Sequence, residues 1–250
     1  RRQRQMCIRD RYGNSGYAYT GSTPSKLKKR IEEANSSNAE ITDINITENG
    51  NYVIILGGSG YWTLGYPDAF LKKLEQYRTG DLRDDNILSA CFNDRGEWVV
   101  ITDKHYSYSN ETIKNFILKA EELYEEVYYA YITNYGMIAC CKNGVYYKNI
   151  PSNLAEALKK LTFKPKVIKF TDNGLYLITD GESQNYYFRF SSVRLNRLRN
   201  KLLANYLKSG GNELATVRIS AFCVAMLSNN SFICKYSIFF RKYELSAAVL

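Results

Sequence analysis

The chain has 250 residues, a hydrophobic fraction of 45%, a charged fraction of 24% and a formal net charge of +9. That length can bury a full core as one large domain or two ordinary ones, and the balance is that of a globular chain, not a disordered or fibrous one. No run approaches the roughly 18 uninterrupted apolar residues of a membrane span. Tyrosine stands out at 22 residues against two tryptophans, an enrichment that favours half-buried sheet surfaces.

In chain order, residues 1–11 come first. RRQRQMCIRDR holds five arginines and one aspartate, with no apolar face and no turn chemistry. It resembles translated adapter sequence and is set aside as a non-native or disordered basic arm, ahead of a single repeat array over 12–250. Residues 12–40 read as the back half of a unit, with Gly16-Tyr17 and then Pro24-x-x-Leu27-x-x-x-Ile31. Residues 41–86 give a whole unit: the hairpin ITDINITENGNYVIIL around Gly50, the aromatic strand GSGYWTLG, and a helix opened by Pro67-x-x-Phe70-x-x-x-Leu74.

Residues 87–126 repeat the plan with Gly96, DKHYSYS and Asn110-x-x-Ile113-x-x-x-Ile117. Residues 127–164 do so with Gly136, NGVYYKN and Pro151-x-x-Leu154-x-x-x-Leu158. Residues 165–216 carry Gly174, GESQNYYFRF and a helix around 191–208. Residues 217–250 resume the hairpin with the turn glycine replaced, a degenerate partial repeat.

The turn glycines recur at spacings of 46, 40 and 38, and a tight hairpin turn predicts positive φ at each. Proline predicts the first helical turn, where its missing N–H costs nothing. The i, i+4 apolar pairs predict one stripe per helix to lay on the strands. The aromatic strands place their tyrosines at equivalent positions in each unit. One hairpin, one strand and one helix cannot bury their own apolar surfaces, so neighbouring units must stack. The fold class is therefore α+β, in tandem βββα repeats of about 40 residues, closed as a β-propeller-like ring or left as an open curved array. Because the array starts and stops within a unit, the chain reads as a fragment of a larger multidomain protein.

With these motifs in view, NG-x-YVIIL, GSGYW and DRGEWVVIT resemble the tandem G-x-W-V-V and G-Y-W βββα repeats of bacterial and microbial-eukaryote proteins, and more loosely WG-type repeats. The resemblance covers roughly 12–190, departs at Met137 and at Ala221-Phe222, and implies an array appended to other domains, with no assigned ligand and no catalytic residue.

The search for chemistry is spare. His105, the one histidine, needs a nucleophile or carboxylate partner to act as a base, and no G-x-S-x-G elbow supplies the nucleophile. GGSG at 57–60 lacks the Gly-Lys-Ser/Thr of a phosphate loop and reads as a turn. Asp84-Asp85 lie in an insertion, and Glu121, Glu122, Glu125 and Glu126 read as a solvated helix end without calcium-loop spacing. Arg194, Arg197, Arg199, Lys201 and Lys208 read as the charged back of a core-facing helix. The cysteines lack CxxC spacing and read as buried free thiols in a reducing, cytoplasmic setting.

The expectation is thus a non-catalytic repeat scaffold, with no cofactor and no metal, that binds a protein or peptide partner. The alternative is a carbohydrate-binding, lectin-like module. Nucleic acid is not expected, and the oligomeric state is left open. The candidate ligand residues are Trp62, Tyr66, His105, Tyr106, Tyr147 and Tyr187, with the loops at Tyr66–Asp68 and Lys104–Ser107.

Overall fold

The computed structural model describes residues 15–19, 23–37, 39–180, 186–189, 215–226 and 232–240, the strands at 15–19, 186–189, 215–226 and 232–240 by their backbone alone. The order is β1 (Ser15–Tyr19), α1 (Ser25–Ser36), β2 (Ile41–Ile46), β3 (Tyr52–Leu56), β4 (Tyr61–Leu64), α2 (Asp68–Thr79), β5 (Ile87–Phe92), β6 (Trp98–Thr102) and β7 (Tyr106–Tyr108). Then come α3 (Glu111–Tyr124), β8 (Val127–Ile132), β9 (Met137–Cys141), β10 (Gly144–Lys148), α4 (Ser152–Lys159), β11 (Val167–Phe170), β12 (Tyr176–Thr179), β13 (Tyr186–Arg189), β14 (Ala215–Met226) and β15 (Phe232–Phe240). The repeating unit is a three-stranded antiparallel sheet followed by a helix, as the sequence predicts. The expected helix at 191–208 lies outside the described residues.

The turn chemistry holds at three glycines and fails at one. Gly50, Gly96 and Gly174 have φ of 82°, 78° and 80°, the left-handed region that glycine enters without a Cβ penalty. Gly136 does not, because its turn is one residue shorter: the Thr133 N–H closes on the Gly136 carbonyl, whereas the Thr47 N–H closes on that of Asn51. Glycine is needed at 136 for space instead, since a Cβ there would stand 2.4 Å from the Asn149 carbonyl oxygen. Gly136→Ala is therefore expected to cost about 1–3 kcal/mol by overpacking. Gly96→Val is expected to cost more than about 1 kcal/mol by backbone strain. Thermal melts that leave either variant unchanged would remove the corresponding turn geometry.

The shorter turn also slips the third unit by one place. Tyr61 and Tyr106 pair with the equivalent Ile55 and Ile101, but the matching Cys140 pairs with Val145. Tyr146, not Tyr147, therefore matches Trp62, so the aromatics do not keep one register through all units.

The prolines stand just before the helices, not in their first turn. Pro67 (φ −68°, ψ 139°) is extended, and its carbonyl accepts the Leu71 N–H at 3.1 Å. Pro151 does the same for Ala155 at 3.1 Å. Asn110 caps α3 with its side chain, accepting the Ile113 N–H at 3.0 Å.

Each described helix stripe packs as its i, i+4 spacing predicts, and α2 and α3 bridge two sheets. Phe70, Leu74 and Tyr77 of α2 meet Val53 and Ile55 of β3 on one side and Phe92, Trp98 and Val100 of the next sheet on the other. Ile113, Phe116 and Ile117 of α3 repeat this between the β5–β7 and β8–β10 sheets. Middle strands are thus covered on both faces, which explains their unbroken apolar runs YVIIL and WVVIT.

The first strands of the units stand side by side: β2 packs against β5, β5 against β8, and β8 against β11. Their apolar positions (Ile44, Ala90, Ala130, Ile168) enter the core, and the intervening ones are buried though largely polar. Those polar side chains join sheets that share no backbone ladder. Asn45 Nδ2 donates to the Ala90 carbonyl at 2.7 Å, Ser89 Oγ to that of Ala130 at 3.3 Å, and Asn93 Nδ2 to that of Thr133 at 3.0 Å.

The two partial units meet. β1 pairs with β15 from Ser15↔Ser237 to Tyr19↔Ile233, and β15 pairs with β14, so the first and last strands make one three-stranded sheet. β14 packs against β2 on one side and against β11 and β12 on the other. Strand pairing is blind to sequence separation; Ala221-Phe222, expected in place of a hairpin-turn glycine, lie instead within β14 at a register irregularity between Ser220 and Ala225.

Candidate functional site

The residues singled out by sequence do not converge. Trp62 is half-buried beneath the Arg30 guanidinium, 5.4 Å from its ring centre. Tyr66 packs against the α2 core. The Tyr106 hydroxyl accepts the Val127 N–H at 3.0 Å and donates to Glu121 at 3.1 Å; burial is the main reason that its pKa is pushed up to about 12. Tyr147, 37% exposed, lines an open cleft of about 440 Å³ with Leu158, Lys159 and Phe163. The Tyr187 side chain lies outside the described residues. Trp62, Tyr106 and Tyr147 stand on the third strands of three different sheets, where they tie each strand to a helix or stand alone.

His105 does have a carboxylate partner. Its Nδ1 lies 2.6 Å from Oδ2 of Asp85, which is 4% exposed and also accepts from Thr102 Oγ1 at 3.2 Å. Lys104 Nζ is 3.7 Å from the other carboxylate oxygen. Asp85 comes from the insertion at 80–86, so the cluster clamps that loop to the β6–β7 turn. The Thr102 hydroxyl beside the pair is held by Asp85 and by the His105 carbonyl at 2.9 Å. The pair therefore orients an imidazole but addresses no described nucleophile.

What does converge lies at the ends of the first strands. The inner strands β2, β5 and β8 each carry a register shift at the same place, between Ile41 and Asp43, Ile87 and Ser89, and Val127 and Tyr129. Such bulges re-aim the extra residue, here Thr42, Leu88 and Tyr128. All three line an open cavity of about 600 Å³, together with Asp43, Tyr129, Lys164 and Lys166. Leu88 is 37% exposed there. The Tyr128 hydroxyl donates to the Pro165 carbonyl at 2.5 Å, with the Lys164 ammonium 5.2 Å above its ring. The Tyr129 hydroxyl is buried at the cavity wall with no described partner. This wide mouth draws residues from four sheets, is apolar with lysines at its edge, and was missed because no single unit shows it. The one available signal was the bulky apolar Leu88 at the place that Thr42 occupies one unit earlier.

Three thiols are described, Cys91, Cys140 and Cys141, all buried and unpaired. Burial pushes Cys91 up to about 12 and Cys141 up to about 11, away from thiolate chemistry. Among the described residues no helix is long and apolar enough to cross a membrane. No three His, Cys, Asp or Glu residues among them cluster to hold a metal. No family model, curated protein or solved structure matches the chain.

Proposed function

We propose that this chain is a non-catalytic binding module of the tandem βββα repeat kind, closed as a propeller-like ring of five sheets, whose wide mouth takes a segment of a protein or peptide partner. The pairing of β1 with β15, with β14 set between β11 and β2, supports the ring. The observation that carries the binding role is the 600 Å³ cavity that three equivalent bulges open at one end of the first strands. Its size is that of a ligand site, and its lining of Leu88, Tyr128 and Val167 beside Lys164 suits an apolar side chain with an acidic neighbour. The carbohydrate alternative is weaker on one count: the faces of Trp62 and Tyr61, which a sugar would stack on, carry the Arg30 and Arg78 guanidinium groups.

Panning a displayed peptide library against the full chain tests the reading. Selected peptides should carry an apolar residue next to an acid, and Leu88→Glu should reduce their capture at least tenfold with the melting temperature unchanged. Should panning fail while a glycan panel gives saturable binding that Trp62→Ala removes, the lectin-like reading takes its place.

A further inference from the structure

At the opposite end of the first strands the same four units build a second, narrower mouth of about 30 Å³, room for one small group. Its rim repeats one turn position four times, as Glu48, Asp94, Asn134 and Asp172. Its floor is made of Asn45 and Thr47, 4% and 7% exposed.

Three buried oxygens here have no described hydrogen-bond partner: Asn45 Oδ1, Thr47 Oγ1 and Asp94 Oδ1. Their neighbours are committed. Asn45 spends its amide on Asp43 and on the Ala90 carbonyl, both at 2.7 Å, which fixes Oδ1 as the remaining acceptor. Asp94 Oδ2 accepts the Asn49 N–H at 3.2 Å, Asn134 Nδ2 donates to Glu48 at 3.3 Å, and Thr133 Oγ1 donates to Asp172 at 3.1 Å. Leaving three buried acceptors without a donor is costly.

We propose that this narrow mouth binds a primary ammonium group, as the side chain of a partner's lysine or as a small free amine. An ammonium brings three N–H donors and one positive charge. The mouth offers three unmatched acceptors, with Glu48, Asp94 and Asp172 spread around its lining as an acidic rim and not gathered on one point. A divalent metal suits it less, because a hard cation of the calcium kind needs six to eight oxygen ligands and no three described acids converge. Two cations stand near the mouth, and one of them, Arg95, favours the charged form of Asp172. Lys169 is paired with Asp43 below the floor at 2.7 Å, and the Arg95 guanidinium sits 5.3 Å above the Tyr135 ring.

Burial, and then a hydrogen bond shared with Glu48, push Asp172 up to about 6. The rim therefore loses charge as pH falls through that value, and ammonium binding weakens with it. The inference stands apart from the wide mouth, since no residue lines both and its test is read only at this end.

The test is a titration of the full chain with Nα-acetyl-lysine amide, followed by amide NMR shifts at Asn45, Thr47 and Asp94. Butylamine, the Nε-acetylated lysine and calcium serve as comparators. Saturable shifts with lysine amide, none with its Nε-acetyl form, and at least tenfold weakening in Asp94→Asn are expected. Thr47→Val, of nearly the same shape, should weaken binding at least threefold should Asp94→Asn fail to fold. Binding at pH 5 should be several-fold weaker than at pH 7. A butylamine response equal to that of lysine amide would assign a free amine, and tighter lysine binding a partner chain. An equal response to acetylated lysine, a response to calcium alone, or no response to any amine overturns the proposal.

Discussion

Asp43→Ala is expected to lower the unfolding free energy by about 3–5 kcal/mol, the cost of stranding a buried charge by removing its partner. Lys169 is fully buried, and its ammonium donates to Asp43 Oδ1 at 2.7 Å and to the Ile44 carbonyl at 2.6 Å. The link runs from β11 to β2, across 126 positions of sequence, so it fastens the fourth whole unit to the first. Removing the carboxylate leaves the ammonium with one carbonyl in a low-dielectric interior. Changing both residues, as Asp43→Asn with Lys169→Met, is expected to recover most of the loss, because a buried pair contributes far less than either half costs alone. Urea denaturation of Asp43→Asn, of Lys169→Met and of the double variant reads the coupling directly. A loss below about 1 kcal/mol for Asp43→Ala would mean that Lys169 reaches water and that β2 and β11 are not joined as described.

Phe70→Ala is expected to cost about 3–5 kcal/mol, in the range for a fully buried phenylalanine. Its ring lies 5.2 Å from that of Phe92 and 5.8 Å from that of Trp98, both in the sheet that follows α2. The cost therefore falls on the junction between two units as much as on the helix that carries the residue. Hydrogen exchange should show protection lost at Val99 and Val100 of β6 as well as in α2. Loss confined to α2 would mean that the helix serves its own sheet alone.

Much of the local structure is legible in the residues. The Asn-Gly and Arg-Gly turns mark hairpins because only glycine enters their left-handed corner cheaply, and the structure puts Gly50 and Gly96 there. The pairs Phe70/Leu74 and Ile113/Ile117 mark helix stripes, and all four side chains are buried. Gly136 misled because a glycine can answer two needs, freedom of φ or lack of a Cβ, and sequence does not say which. Its shortened turn then shifted the tyrosine register by one, a change that becomes visible only once strand partners are known.

The candidate sites were far less legible. Repeated aromatics look like ligand platforms, yet Trp62 and Tyr106 are occupied by Arg30 and by Glu121 and Val127. His105 looked solitary because its carboxylate, Asp85, lies twenty positions away in an insertion. The polar residues Asp43, Asn45, Thr47 and Ser89 sit between apolar neighbours in the sequence, a pattern that does not separate a solvated face from a buried one, and the structure buries all four.

By itself, then, the sequence determined what depends on near neighbours: hairpin, third strand, helix, and the period at which they return. Those follow from φ preferences and from side-chain periodicity within a few residues. Only the tertiary structure decided which partial units share a sheet, which face of each inner strand is the inside, and where polar atoms from four units meet. Such contacts depend on the angle at which successive sheets pack, and no span shorter than the array encodes that angle.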